Sequence, residues 1–153
     1  MKEFFGNTNV IAKPMARGDY NTYRGWTIPA DEDPTDEGFL VQHLGSGLEQ
    51  WMPKATFLEL FRQSGNLTFG MALESLKRGK KVSRSGWNGN GMFLFIVPGS
   101  VFKVNRPPLL GIYEEGTEIN YHAHIDMKTA DGMVVPWLCS QTDALAEDWE
   151  ILE

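Results

Sequence analysis

Ile119-Asn120-Tyr121-His122-Ala123-His124-Ile125-Asp126-Met127-Lys128 alternates without interruption. Ile119, Tyr121, Ala123, Ile125 and Met127 fall on one side, and Asn120, His122, His124, Asp126 and Lys128 on the other. Successive side chains of a strand leave opposite faces, so a period of two over this run predicts one half-buried β-strand. Ala130-Asp131-Gly132 supplies a hairpin turn, with Asp-Gly as its signal, and residues 133–138 return as the partner strand. Pro136 cannot donate to a ladder and marks an edge or a bulge.

The segments upstream extend the same pattern. Thr68 caps a helix whose apolar residues Phe69, Ala72, Leu73 and Leu76 keep the spacing i, i+3, i+4, i+7. Gly79 ends it in a left-handed cap. Residues 81–85 read as a short strand and residues 92–97 as an apolar strand of buried type. Pro98-Gly99 turns the chain into a strand at 101–104. Asn105-Arg106-Pro107-Pro108 is irregular, because two prolines exclude regular ladder bonding. Downstream, Ser140-Gln141-Thr142-Asp143 resembles a capping box before a short helical turn, and residues 148–152 close the sheet. The fold class is α+β, a small antiparallel sheet with one main helix.

Gln63-Ser64-Gly65-Asn66 is polar and glycine-containing and lies between two amphipathic patterns, which sets domains at residues 1–65 and 66–153. The first reads as a small α+β module. It has a strand at 9–13 stopped by Pro14 and a helix at 17–23 stopped near Gly25. A hairpin of 39–43 and 48–52 surrounds Gly45-Ser46-Gly47, and a helix follows at 54–62. Asp31, Asp33 and Asp36 share an acidic loop, but Pro34 and the lack of a closing Glu exclude the usual calcium pattern.

Composition narrows the functional classes. A formal net charge of −6 argues against general affinity for DNA or RNA. No apolar run reaches the roughly 18 residues of a membrane span. The N-terminal stretch has no apolar core of signal-peptide length, and a single cysteine, Cys139, excludes an internal disulfide. A cytoplasmic protein fits. The charge is unevenly placed: residues 66–106 hold seven Lys/Arg and one acid, whereas residues 107–153 hold one Lys and ten Asp/Glu. Such halves attract each other within or between subunits, or stand as two solvated faces.

Arg84-Ser85-Gly86-Trp87-Asn88-Gly89-Asn90-Gly91 sets an aromatic plate and an amide among glycines, behind Lys77, Arg78, Lys80 and Lys81. A flat apolar plate suits a base, and bare N–H groups with cations suit phosphate. Trp87 and Trp137 equally fit core positions. The loop lacks the Lys-Ser/Thr ending of a phosphate loop and the β-α-β context of a dinucleotide fingerprint. Arg106, presented by a stiff diproline, is a second phosphate candidate. His122, His124 and Asp126 on one strand face allow either a metal site or a polar face in a cleft. Cys139 has no base fixed beside it, so nucleophilic catalysis has little support.

The words Thr68-Phe69-Gly70-Met71-Ala72-Leu73-Glu74, Gly79-Lys80-Lys81-Val82, Gly86-Trp87-Asn88-Gly89, Val97-Pro98-Gly99-Ser100, Asn105-Arg106-Pro107-Pro108-Leu109, His124-Ile125-Asp126-Met127-Lys128-Thr129-Ala130-Asp131-Gly132, Val135-Pro136-Trp137 and Asp148-Trp149 occur in that order. In this, residues 66 to 153 closely resemble the second Thoeris anti-defence family of phage proteins. The resemblance implies a non-enzymatic, cofactor-free, homotetrameric sponge in the cytoplasm of an infected or lysogenic bacterium. Its ligand would be the cyclic ADP-ribose isomer made by TIR-domain proteins; some members of the family also hold cyclic dinucleotides of the CBASS system at a separate site. It implies no nucleic-acid or membrane partner. Trp87 is then the expected base platform, with Trp137 or Phe93 opposite. Arg84, Lys81 and Arg106 are expected at phosphate, with Asn88, Asp126, Ser140 and Thr142 as polar readers. The alternatives are a metal-dependent phosphodiesterase or glycosidase using His122, His124 and Asp126, and a protein-interaction module. Tyr23-Arg24-Gly25-Trp26 and the stretch 33–41 look like a module of other small phage proteins, with no activity attached.

Overall fold

Met1–Arg62 and Gln63–Glu153 form separate units. The computed structural model describes residues 1–3 and 8–153. Residues 4–7, part of the stretch read above for a signal peptide, lie outside the described residues.

The first unit runs β1 (Val10–Pro14), α1 (Arg17–Arg24), β2 (Gly38–His43), β3 (Glu49–Pro53) and α2 (Lys54–Leu60), with an antiparallel sheet ordered β1-β2-β3. Val41 on the central strand is fully buried. Phe57 of α2 stacks on Phe39 of β2 with ring centroids 4.1 Å apart. The Arg17 guanidinium lies 5.0 Å from the Trp51 ring centroid, and the Trp51 indole N–H donates to the Met15 carbonyl (2.9 Å).

The second unit runs α3 (Phe69–Lys77), β4 (Lys81–Arg84), β5 (Phe93–Val97), β6 (Ser100–Lys103), β7 (Glu118–Tyr121), β8 (His124–Lys128), β9 (Val134–Pro136), α4 (Gln141–Ala144) and β10 (Trp149–Leu152). Five strands form one antiparallel sheet, ordered β10-β4-β5-β8-β9, while β6 and β7 pair alone. Thr68 caps α3 by accepting from the Met71 N–H, and Gly79 follows the helix at φ 80°, a conformation that costs glycine little. β9, with Pro136, occupies an edge as expected.

The long alternating run departs from expectation. It is two strands, broken at His122-Ala123, and they belong to different sheets. Ile119 pairs with Phe102 in the small sheet, whereas Ile125 pairs with Ile96 in the large one. The alternation continues in phase across the break, so hydrophobic period alone gave no sign of it.

The core of this unit is Leu67, Ala72, Leu76, Val82, Leu94 and Trp149. Trp149 is 0 % exposed. Residues 63–66, expected as a boundary, are fastened to the last strand. Gly65 and Leu67 N–H both donate to the Trp149 carbonyl (3.0 Å each), and Ser64 Oγ accepts from Ile151 N–H (2.7 Å). Among the described residues no helix is long and apolar enough to cross a membrane.

Candidate functional site

The expected site residues separate into three places in the second unit. The first surrounds Arg84 at the end of β4. The register brings Trp149 of β10 opposite it, and so places the neighbouring Asp148 beside it. Arg84 Nε donates to Asp148 Oδ1 (2.7 Å), and Nη1 donates to Asp143 Oδ1 (2.7 Å). The Arg84 and Asp143 side chains are each 14 % exposed. Arg84, expected at phosphate, is paired with two carboxylates in the structure. Asp148, helped most by Arg84, has its carboxyl held below the usual range. Burial pushes the Asp143 carboxyl up, but hydrogen bonds from Ser140, Arg84 and Trp87 outweigh it, and it too lies below that range.

The same carboxylates organise the glycine loop. Gly86 N–H donates to Asp148 Oδ2 (2.8 Å), and a Cβ at position 86 would stand 2.7 Å from that oxygen, so a side chain there would displace the carboxylate. The Trp87 indole N–H donates to Asp143 Oδ1 (3.0 Å), and the ring meets Trp149 edge-on with centroids 5.5 Å apart. Trp87 is half-buried: it packs against the core and keeps part of its surface exposed. Trp137, also half-buried, packs edge-on against Trp149 at 6.3 Å. Ser140 Oγ is occupied by α4, accepting from Asp143 N–H and donating to Asp143 Oδ2. Asn88 and Thr142 are exposed.

The second place is the sheet face opposite α3. Val82, Leu94, Ile125 and Met127 enter the core or pack against it, so their strand neighbours Lys81, Phe93, Phe95, Asp126 and Lys128 point the other way. Lys81 Nζ and Lys128 Nζ lie 5.4 and 5.7 Å from the Phe93 ring centroid. Lys128 also donates to the Gly91 carbonyl (3.1 Å), which ties the end of the glycine loop to this face. Asp126 Oδ1 is buried and has no hydrogen-bond partner among the described residues. The nearest base, His124 Nε2, is 3.6 Å away, beyond hydrogen-bond reach.

The third place holds Arg106. A cavity of about 700 Å³ is lined by Phe102, Lys103, Asn105, Arg106, Leu109 and Tyr121 among others. The Phe102 and Tyr121 rings lie 5.3 Å apart. Cations, an amide and two aromatic faces thus share one cleft.

The three residues of the metal alternative are not gathered into one ligand group among the described residues. His122 falls in the break between strands and His124 Nδ1 lies 3.1 Å from the His122 carbonyl. Among the described residues no group of three or more His, Cys, Asp or Glu is placed to hold a metal ion. Burial pushes the Cys139 thiol up, away from the thiolate a nucleophile needs. Lys128, Asp143, Asp148, Phe102 and Tyr121 were not singled out from sequence as site residues. The capping box identified Asp143 as a helix-start residue, yet nothing local joined it to Arg84.

Fold and face together define a small antiparallel α+β domain that presents cations and aromatic plates around a buried carboxylate oxygen without a hydrogen bond, preceded in the chain by a separate α+β unit. The chain belongs to the Thoeris anti-defense 2-like family, whose domain model matches residues 67–152. It is similar to Thoeris anti-defense 2 of Bacillus phage SP01, 44 % identical over 86 residues, which span 56 % of this chain and 94 % of that protein. The family match lies wholly within the second unit.

Proposed function

We propose that this chain acts in phage anti-defence as a sponge, binding a cyclic nucleotide immune signal and releasing it uncleaved. The observation that carries this reading is the buried, unpartnered Asp126 Oδ1 on the face that also bears Lys81, Phe93 and Lys128. A buried acceptor without a donor costs free energy, on the order of 1–3 kcal/mol, which a ligand hydroxyl or amine recovers once the neighbouring side chains shift to admit it. Cations beside it suit a pyrophosphate, and a ring suits a purine or ribose face. A cyclic ADP-ribose isomer combines those three chemistries.

In this reading Lys81 and Lys128 meet phosphate, Phe93 and the open face of Trp87 stack, Asp126 accepts from ribose, and Asn88 and Thr142 read polar edges. Trp137 packs against Phe69 and Trp149. Arg84 and Ser140 hold the loop and α4 rather than the ligand. The three places do not meet in one cavity, in keeping with a homotetramer whose pockets are completed by neighbouring copies. The Arg106 cavity suits the second ligand class, cyclic dinucleotides. The setting is the cytoplasm of the infected host, with neither nucleic acid nor membrane as partner.

Sequestration demands sub-micromolar affinity, more than about 8 kcal/mol. Calorimetry of the full chain with the TIR-made cyclic ADP-ribose isomer, followed by heating and mass spectrometry, tests both halves. Binding with intact recovery is expected. Absence of heat, or return of a hydrolysed product, refutes the proposal.

A further inference from the structure

Asp143 collects contacts from four parts of the second unit. Oδ1 accepts from Arg84 of β4 and from the Trp87 indole in the glycine loop, Oδ2 accepts from Ser140 at the start of α4, and its backbone carbonyl accepts from the Trp149 indole of β10 (3.1 Å). The loop between β4 and β5 contains no helix or strand. Its ties are Ser85 N–H to the Asp148 carbonyl and Ser85 Oγ to Asp148 Oδ2 (3.3 Å each), Gly86 N–H to Asp148, Trp87 N–H to the Arg84 carbonyl (3.3 Å), Lys128 to the Gly91 carbonyl, and the indole bond to Asp143. Of these, only the last acts on the ring. Edge contact with Trp149 restrains where the indole sits, while a directional N–H bond restrains how its plane is turned.

We infer that Asp143 is a positioning residue of the ligand site, fixing the plane of the Trp87 indole for stacking without touching the ligand itself. The inference rests on the sequestration reading for its ligand. Both carboxylate oxygens are already engaged and the side chain is 14 % exposed, so Asp143 acts through Trp87. Arg84 completes the device: it holds the carboxylate ionised beside a neutral donor, and a charged acceptor strengthens that bond.

The test uses the full chain, Asp143→Ala, Asp143→Asn, Trp87→Phe and the Asp143→Ala/Trp87→Phe double variant. In 15N-labelled protein, the Trp87 indole proton should be protected from exchange and become fast-exchanging in Asp143→Ala. The Trp149 indole proton, bonded to backbone, should stay protected and so reports an intact fold. Affinity for the TIR-made cyclic ADP-ribose isomer should fall at least about tenfold in Asp143→Ala, the scale of one charge-assisted hydrogen bond. It should recover in part in Asp143→Asn, whose oxygen still accepts from the indole. Asp143→Ala should add little on top of Trp87→Phe. Independent, multiplying losses would overturn the positioning role, as would a Trp87 proton that stays protected in Asp143→Ala. Should Asp143→Ala fail to fold, Asp143→Asn decides: affinity as low as in Trp87→Phe overturns the role, and partial retention supports it. If the unsubstituted protein does not bind the isomer, the sequestration reading falls, and the exchange measurement alone decides whether Asp143 sets the indole.

Discussion

Arg17 in the first unit and Arg84 in the second each grip carboxylate close to a tryptophan, and they do so for different ends. Arg17 forms a two-point pair with Glu32, which also accepts from Asn21 Nδ2 (3.1 Å), and its guanidinium lies against Trp51. The Trp51 indole bonds to backbone, so that clamp and that tryptophan are joined by packing alone. Arg84 is divided between two carboxylates, and one of them also receives the Trp87 indole. A clamp that ends in packing fastens a loop to a sheet. A clamp that shares its acceptor with an indole makes the orientation of that indole depend on charge. The difference lies in one hydrogen bond, and it separates a stabilising pair from one able to serve a binding site.

The comparison breaks most completely if the second unit loses the wall against which its tryptophans lean. Trp149→Ala should cost about 4 kcal/mol, seen as a lower denaturant midpoint for the second unit's amides in exchange measurements. A loss below about 1 kcal/mol would mean that the Arg84 clamp stands without that wall. Removing one partner of a largely buried pair comes next. Asp143→Ala should cost about 2 kcal/mol, and Asp148→Asn about 1 kcal/mol because Asp148 is more exposed. Glu32→Ala should produce a smaller midpoint shift than Asp143→Ala, read in the first unit; the reverse order would show that the packed clamp is the stronger.

Acid sharpens the contrast. Arg84 first holds the Asp148 carboxyl down, and bonds to Ser140, Arg84 and Trp87 overcome burial at Asp143, so both titrate below the ordinary value of 3.8. Their contribution is complete above that value and disappears as pH falls through the lowered ones. The Trp87 indole signal should therefore hold at pH 5 and change well below about pH 4, and Asp143→Asn should flatten the change. Glu32 is also lowered, chiefly by Arg17 and then Asn21, but its protonation should leave the Trp51 indole bond in place. Smallest in effect are the single lysines. Lys81→Ala and Lys128→Ala should each weaken binding of the cyclic ADP-ribose isomer by about three- to tenfold, more at low salt, while Lys54→Ala in the first unit leaves it unchanged. A salt-independent affinity would remove the lysines from the phosphate.

Much of this was legible beforehand. The Thr68 and Ser140 caps, the Gly79 stop and the edge position of Pro136 follow from local chemistry, since each needs only a few neighbouring residues. The division of residues 118–128 into two strands was not legible, because alternation keeps its phase through His122-Ala123. Arg84 looked free for phosphate because its partners lie 59 and 64 residues later in the chain. Lys128 looked like one polar member of a strand until pairing with Phe93 put it beside Lys81.

By itself, then, the sequence determined most of the elements, the caps of α3 and α4, the α+β class and the family, because period, capping chemistry and shared words are properties of contiguous residues. Only the tertiary structure decided which charges are paired within the fold and which are not. It neutralised Arg84, orphaned Asp126, gathered Lys81 and Lys128 around Phe93 and set Arg106 in a cavity of its own. The reason is that the strength of a charge depends on its partners and its burial, and both are fixed by strands that meet only after the chain has folded.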